Sequence, residues 1–242
     1  MDVADRASAG GGDGAPVAAV LFDIDGTLIS TGGAAEEAWR RAFEQLHEVE
    51  VEVSEYSTGG MTDPEVGRLS FRGALGRDPS HRELARLLGL ELRLLPDAVA
   101  DSDGYTVMPG VEELLERLID GGHLLGLTTG NVEAAAHIKL ARANLNRFFS
   151  FGGYGSDATD RAELTRRAIE RARAISGGVI AAADCVSVGD TPLDVEAGHG
   201  AEIRVVGVAT GRFGTDELRG AGADFAIDSL RDWPSVLEVA VR

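Results

Sequence analysis

Short apolar runs that stop abruptly at polar, glycine-bearing segments alternate along this chain with stretches in which apolar residues recur every three or four positions. Residues 17–22 (VAAVLF) form an unbroken apolar run closed by Asp23, the pattern of a parallel strand buried on both faces. The period then changes. EEAWRRAFEQL puts Trp39, Phe43 and Leu46 on one helical stripe, and HRELARLLGLELRLL puts Leu84, Leu87, Leu88 and Leu92 on another. YSTGGMTDP between them reads as a loop, and VEVEV at 49–53, whose polar positions are all Glu, is not read as a strand.

Alternation resumes after residue 104. Pro109 opens a helix to residue 118, closed by Gly121-Gly122. A strand at 124–128, helices at 133–143 and 160–174, a strand at 185–188, a short helix at 194–199 and strands at 203–208 and 225–227 follow. Strands alternating with helices of this length mean βαβ units. The predicted fold class is α/β, a Rossmann-like parallel sheet, with residues 17–30 and 105–242 as its core and a helical insert at 31–104. Residues 1–16, rich in Gly, Ala and Asp and without periodicity, are expected to be a disordered tail.

Composition narrows the function classes. Forty acidic against 23 basic side chains give a net charge of −17, a field that repels nucleic acid. No apolar run approaches the roughly 20 residues of a membrane span, and the acidic N-terminus does not read as a secretory signal. One cysteine, Cys185, excludes an internal disulfide and a multi-cysteine zinc site. The expectation is a cytoplasmic protein.

Ligands of open parallel sheets bind beyond the carboxyl ends of the strands. The segments at those positions are Asp23-Ile24-Asp25-Gly26-Thr27, Thr128-Thr129-Gly130-Asn131 and Gly189-Asp190-Thr191-Pro192-Leu193-Asp194. All are polar and carry glycine. Asp23 and Asp25, two apart at a strand end, can face one way, and such carboxylates repel unless a cation or a proton intervenes. A hard divalent ion with oxygen ligands answers that, with Asp190 and Asp194 as further donors.

These segments resemble the motifs of the haloacid dehalogenase superfamily of aspartate-nucleophile phosphohydrolases. VLFDIDGTL is similar to its first motif, LLGLTTGN to its second and VSVGDTPLD to its fourth, in the family's order. The resemblance runs from residue 17 to about 226. The insert after the first motif resembles the C1-type cap, and the whole chain resembles phosphoglycolate-phosphatase-like members. The resemblance implies a Mg²⁺-dependent phosphatase acting on a small phosphorylated metabolite, phosphoglycolate or sugar-phosphate-like. Asp23 would be the nucleophile and Asp25 the general acid and base. Asp23, the Asp25 carbonyl and Asp190 would hold Mg²⁺, with Asp194 orienting its waters. Thr129 and the backbone around Gly26, Thr27, Gly130 and Asn131 would hold the phosphoryl oxygens.

One motif departs from the pattern. The family has a lysine, often followed by proline, before the fourth motif. The chain's single lysine, Lys139, lies instead inside the amphipathic stretch HIKLARANL, where it either fills this cation role or is a solvated helix-face residue. Arg161 in SDATDRAEL is favoured over it as the replacement cation, since Arg adds a bidentate fork for phosphate. A phosphomutase of the β-phosphoglucomutase type and a non-catalytic phospho-ligand-binding protein remain as alternatives. Gly59-Gly60-Met61-Thr62-Asp63 is expected to face the site. Arg68 and Arg72, four residues apart and read as sharing one helix, either meet a second anionic group or form a solvated face. Residues 29–33 and 101–106 are expected to be hinges. A monomer and a homodimer are both compatible with the sequence.

Overall fold

The computed structural model describes residues 18–241; the expected tail at 1–16 lies outside them. The first strand, β1 (Ala19–Phe22), is followed by a short β2 (Ile29–Ser30) and three helices, α1 (Ala34–His47), α2 (Asp63–Leu75) and α3 (His81–Asp101). A short β3 (Thr106–Val107) returns the chain antiparallel to β2. Then come α4 (Val111–Asp120), β4 (Leu124–Thr129), α5 (Glu133–Ala141), β5 (Phe151–Tyr154), α6 (Arg161–Ile175), β6 (Cys185–Gly189), α7 (Pro192–Gly200), β7 (Arg204–Val208), α8 (Thr215–Gly220), β8 (Phe225–Ile227) and α9 (Trp233–Val241).

Six strands make one parallel sheet in the order β5-β4-β1-β6-β7-β8. β1 sits between β4 and β6, so the chain winds outward to one side and returns to wind outward to the other. The carboxyl ends of these three strands are therefore the switch point. Alternation along β1 divides the core. Val20 and Phe22 pack with Leu114, Leu118 and Leu140 of α4 and α5, while Ala19 and Leu21 pack with Ala168, Ile169 and Ala172 of α6.

β5 was not expected, because FGGY is poor strand sequence. The glycines serve packing instead. A Cβ on Gly153 would overlap the Leu164 carbonyl, so α6 lies directly against the strand. The β2–β3 pair also lacked an assignment, the helix expected around Arg68 and Arg72 is α2, and 49–53 forms no strand.

The helices after β2 have their own apolar cluster, in which Trp39 and Phe43 of α1 meet Phe71 of α2 and Leu87 and Leu90 of α3. Ser80 and Glu83 form a capping box that starts α3. Lower down, Ala34, Ala38, Leu95 and Val99 pack against Val132 and Ala135 at the start of α5. The two connections to the sheet run side by side, with the Ser102 hydroxyl donating to the Thr31 carbonyl at 2.7 Å.

One residue of the α3 stripe is out of character. Glu91 is only 2% exposed and its Oε2 has no hydrogen-bond partner. Burial, reinforced by Asp63, pushes its carboxyl from the ordinary 4.5 to about 8. The folded chain thus holds this proton to higher pH than the unfolded chain. The stability tied to it is complete below pH about 4.5 and is lost as the pH rises through 8. Glu91→Gln is expected to flatten that decline and to unfold at a higher temperature than wild type above pH 8, as read by thermal melts from pH 5 to 9. Parallel melting curves for the two proteins would refute this assignment.

Candidate active site

The three strand ends bring the sequence-predicted residues together. The Asp23 amide donates to the Val188 carbonyl at 2.9 Å, which carries the β1–β6 ladder one residue past Phe22 and fixes Asp23 beside Asp190. Gly26 has φ +89°, and a Cβ there would overlap the Asp190 carboxylate, so only glycine lets this turn close over β6. Thr27 Oγ1 donates to Asp190 Oδ1 at 3.0 Å. Asp194 is bound into the start of α7: its Oδ2 accepts from the Thr191 amide and hydroxyl, while its amide donates back to Thr191 Oγ1.

Carboxylate oxygens of Asp23, Asp190 and Asp194 lie within 4.8 Å of one another, all three residues buried. Burial, then Asp194, pushes the Asp190 carboxyl up to about 7, and the same two causes hold Asp23 well above the ordinary range. This donor set fits a hard divalent cation, which would remove the repulsion that raises both groups. Part of the compensation is already present. Arg161, first residue of α6 and capped by Asp160, reaches Asp23 Oδ1 at 3.4 Å and also bonds Asp194 Oδ1. Its Nε and Nη1 are buried without partners, so two N–H donors remain for an anion.

Lys139, the second candidate for the missing cation, is not on a solvated helix face. It is 5% exposed, and its Nζ donates to Asp25 Oδ2 at 2.7 Å and to Asn131 Oδ1 at 2.5 Å. Asn131 Nδ2 also donates to Asp25 Oδ2, at 2.8 Å, and to Thr129 Oγ1 at 2.8 Å. The chain therefore has two cations at the site, Arg161 beside Asp23 and Lys139 beside Asp25. The signal for Lys139 was its position on the same helical face as buried Ala135, Ala136 and Leu140.

A cavity of about 380 Å³ opens over these groups. Asp23, Asp25, Gly26, Thr129, Gly130, Asn131, Arg161 and Asp190 line it, as do Gly59, Gly60, Met61 and Asp63 from the loop before α2. Thr27 and Asp194 lie behind, acting through Asp190 and Arg161. The loop is fastened to the sheet: the Asp63 amide donates to the Gly130 carbonyl at 2.8 Å, and its Oδ2 accepts from the Val132 amide at 2.7 Å. Arg68 and Arg72 do not reach the cavity; they pair with Glu65 and Asp78 on the exposed side of α2.

Among the described residues no helix is long and apolar enough to cross a membrane. The haloacid dehalogenase-like hydrolase family model matches residues 17–202. Pyrophosphatase PpaX of Listeria monocytogenes serotype 4b is 24% identical over 218 residues, spanning 89% of this chain and 94% of its own length. The plasmid phosphoglycolate phosphatase of Cupriavidus necator is 29% identical over 239 residues, spanning 93% of this chain and 95% of its own. Among solved structures, CbbY from Rhodobacter sphaeroides in complex with phosphate superposes with a TM-score of 0.69 at 20% identity, covering 88% of this chain and 95% of that one, a likeness of fold. With a family match across most of its length and the motif residues gathered at one switch point, the chain belongs to the haloacid dehalogenase-like hydrolases.

Proposed function

We propose that this hydrolase is a phosphatase of small phosphate monoesters that works through an aspartyl phosphate on Asp23 and uses Mg²⁺. The phosphatase class is supported by the family match and by the activities its relatives are named for. The observation that carries the rest is the pairing at the end of β1. Asp23 lies beside Arg161, whose Nε and Nη1 have no hydrogen-bond partner, and Asp25 lies two residues on, at the cavity wall.

Asp23, Asp190 and the Asp25 carbonyl would hold the ion, with Asp194 behind them. When bound, Mg²⁺ supplies charge neutralisation between the carboxylates and the phosphoryl oxygens. The residues of the chain do the rest. An Asp23 carboxylate oxygen attacks phosphorus, the ester P–O bond breaks, and Asp25 gives its proton to the departing oxygen. Water then attacks phosphorus, Asp25 takes a proton from it, and the bond to Asp23 breaks to release phosphate. Arg161, Thr129 and the amides around Gly130 hold the phosphoryl oxygens. The helices α1–α3 act as a lid hinged at 29–33 and 101–106, excluding bulk water. The chain works in the cytoplasm, as a monomer or homodimer. The missing family lysine, the one ground for a non-catalytic reading, loses force with Arg161 at Asp23.

The leaving group we favour is neutral and hydroxylated, sugar-phosphate-like, over phosphoglycolate. Ser54, Ser57 and Thr58 offer hydroxyls beside the apolar Trp39 and Val53. Of the cations lining the cavity, Lys139 and Arg161 already face carboxylates, which leaves Arg212 alone for a second anion, opposed by Glu36.

Two outcomes are expected. Asp23→Asn should lower Mg²⁺-dependent phosphate release by on the order of 10⁴-fold, and Mg²⁺ should raise the melting temperature of wild type but not of Asp190→Asn. Release that survives in Asp23→Asn would rule out the nucleophile. In a panel of monoesters, kcat/KM for glycerol or hexose phosphates should exceed that for 2-phosphoglycolate by about tenfold, the equivalent of about 1.4 kcal/mol. The reverse order, abolished by Arg212→Ala, would move the assignment to an anionic leaving group.

A further inference from the structure

The geometry points to Lys139 and Asn131 as positioning residues that pin Oδ2 of Asp25 and leave its Oδ1 as the oxygen that carries the proton. This rests on the phosphatase reading above and assigns a task to two residues that reading leaves without one.

Asp25 sits in a turn with its side chain 41% exposed, and a carboxylate rotates easily about its last bond. Here rotation is blocked from one side. Lys139 Nζ at 2.7 Å and Asn131 Nδ2 at 2.8 Å both donate to the same oxygen, Oδ2. Among the described residues nothing bonds Oδ1. Oδ2 already accepts from an ammonium and an amide, so Oδ1 is the oxygen left free to pass a proton. In the first half-reaction the Oδ1–H bond breaks as the leaving oxygen gains the proton and the ester P–O bond breaks. In the second, Oδ1 takes a proton from the attacking water.

The donors are themselves held. Lys139 projects from α5, and its Nζ is clamped by Asn131 Oδ1 at 2.5 Å. Asn131 is fixed in turn by Thr129 Oγ1, which accepts from both its amide and its side chain. Burial works against the ammonium, but Asp25 and then Asp63 outweigh it and keep Lys139 charged. The set resembles a bracket more than a proton relay: both donors keep their hydrogens throughout.

The test separates the need for a proton from the need for a fold. An alkyl leaving group must be protonated as it departs; p-nitrophenolate need not be. The parameter kcat/KM reads steps only through formation of the aspartyl phosphate, so the later hydrolysis does not interfere. For Lys139→Met and for Asn131→Ala we expect kcat/KM on glycerol phosphate to fall about 100-fold, the scale of a misplaced catalytic group. On p-nitrophenyl phosphate it should fall about tenfold or less. In an Asp25→Ala background, Lys139→Met should lower the alkyl-to-aryl ratio no further. Equal losses on both esters in both variants would reduce Lys139 to a buried counter-ion and overturn the inference. If Lys139→Met fails to fold by circular dichroism, Asn131→Ala decides alone, and an unaltered ratio there overturns it. Wild type that releases phosphate from neither ester would sink the phosphatase reading first, and this inference with it.

Discussion

Crowding three carboxylates into a buried space at the end of a parallel sheet is the constraint around which this molecule is arranged. Oxygens of Asp23, Asp190 and Asp194 come within 4.8 Å of one another. Unpaired anions at that separation in a poorly solvated site repel by several kcal/mol. The sheet order permits the crowding, because β1 and β6 are neighbours and the Asp23 amide extends their ladder. Gly26 permits the close approach of the turn, and the capping box of α7 binds one oxygen of Asp194. Each of these local features makes sense only if something cationic completes the site.

The chain answers with two cations that arrive from opposite faces of the sheet. Lys139 comes from α5, whose Ala136 and Leu140 pack with β1 residues Val20 and Phe22. Arg161 comes from α6, whose Ala168 and Ala172 pack with Ala19 and Leu21. One is assigned to Asp25, the other to Asp23 and Asp194. A chain with a net charge of −17 thus spends its only lysine inside. The chemistry explains the choice of residue. Beside Asp23 and Asp194, a planar, many-donor guanidinium can bond two carboxylates at once. Beside Asp25, a compact ammonium shares one oxygen with the Asn131 side chain.

How much of this was legible in the sequence follows from range. The α/β class and the strand ends could be read because they depend on local period: an apolar run that stops at DIDGT or GDTPLD places those carboxylates whatever lies elsewhere. Arg161 could be read because its place before the fourth motif fixes its neighbourhood. Lys139 could be read only as the weaker of two cation candidates, and Glu91 not at all. Each is a charge on a helix, for which exposure is the ordinary state, and each is buried with groups distant in sequence: Lys139 pairs with a residue 114 positions away. β5 was missed for the opposite reason. Its glycines carry a weak strand signal, and they are there so that α6 can approach the sheet. Arg68 and Arg72 show the limit of periodicity: four-residue spacing placed them on one helix, and nothing in the spacing said which way that helix faces.

The remaining link is between α2 and the segment after β4. α2 begins at Asp63, whose backbone and side chain both bond the Gly130–Val132 segment, at 2.8 and 2.7 Å. Hydrogen bonds of this kind contribute about 0.5–1.5 kcal/mol each, since water replaces them once they open. The apolar contact of Ala34, Leu95 and Val99 with the start of α5 has no such replacement. If α1–α3 act as the proposed lid, it would pivot at the apolar contact and part at the polar one. Parting takes the Asp63 carboxylate from the N-terminus of α5, where a negative charge is favoured. The same segment carries Asn131, which bonds Asp25. The position of α2 is therefore linked, through one segment, to Asp25. On the role proposed for Asp25, that segment, rather than any single side chain, is where access to the cavity and proton transfer would meet.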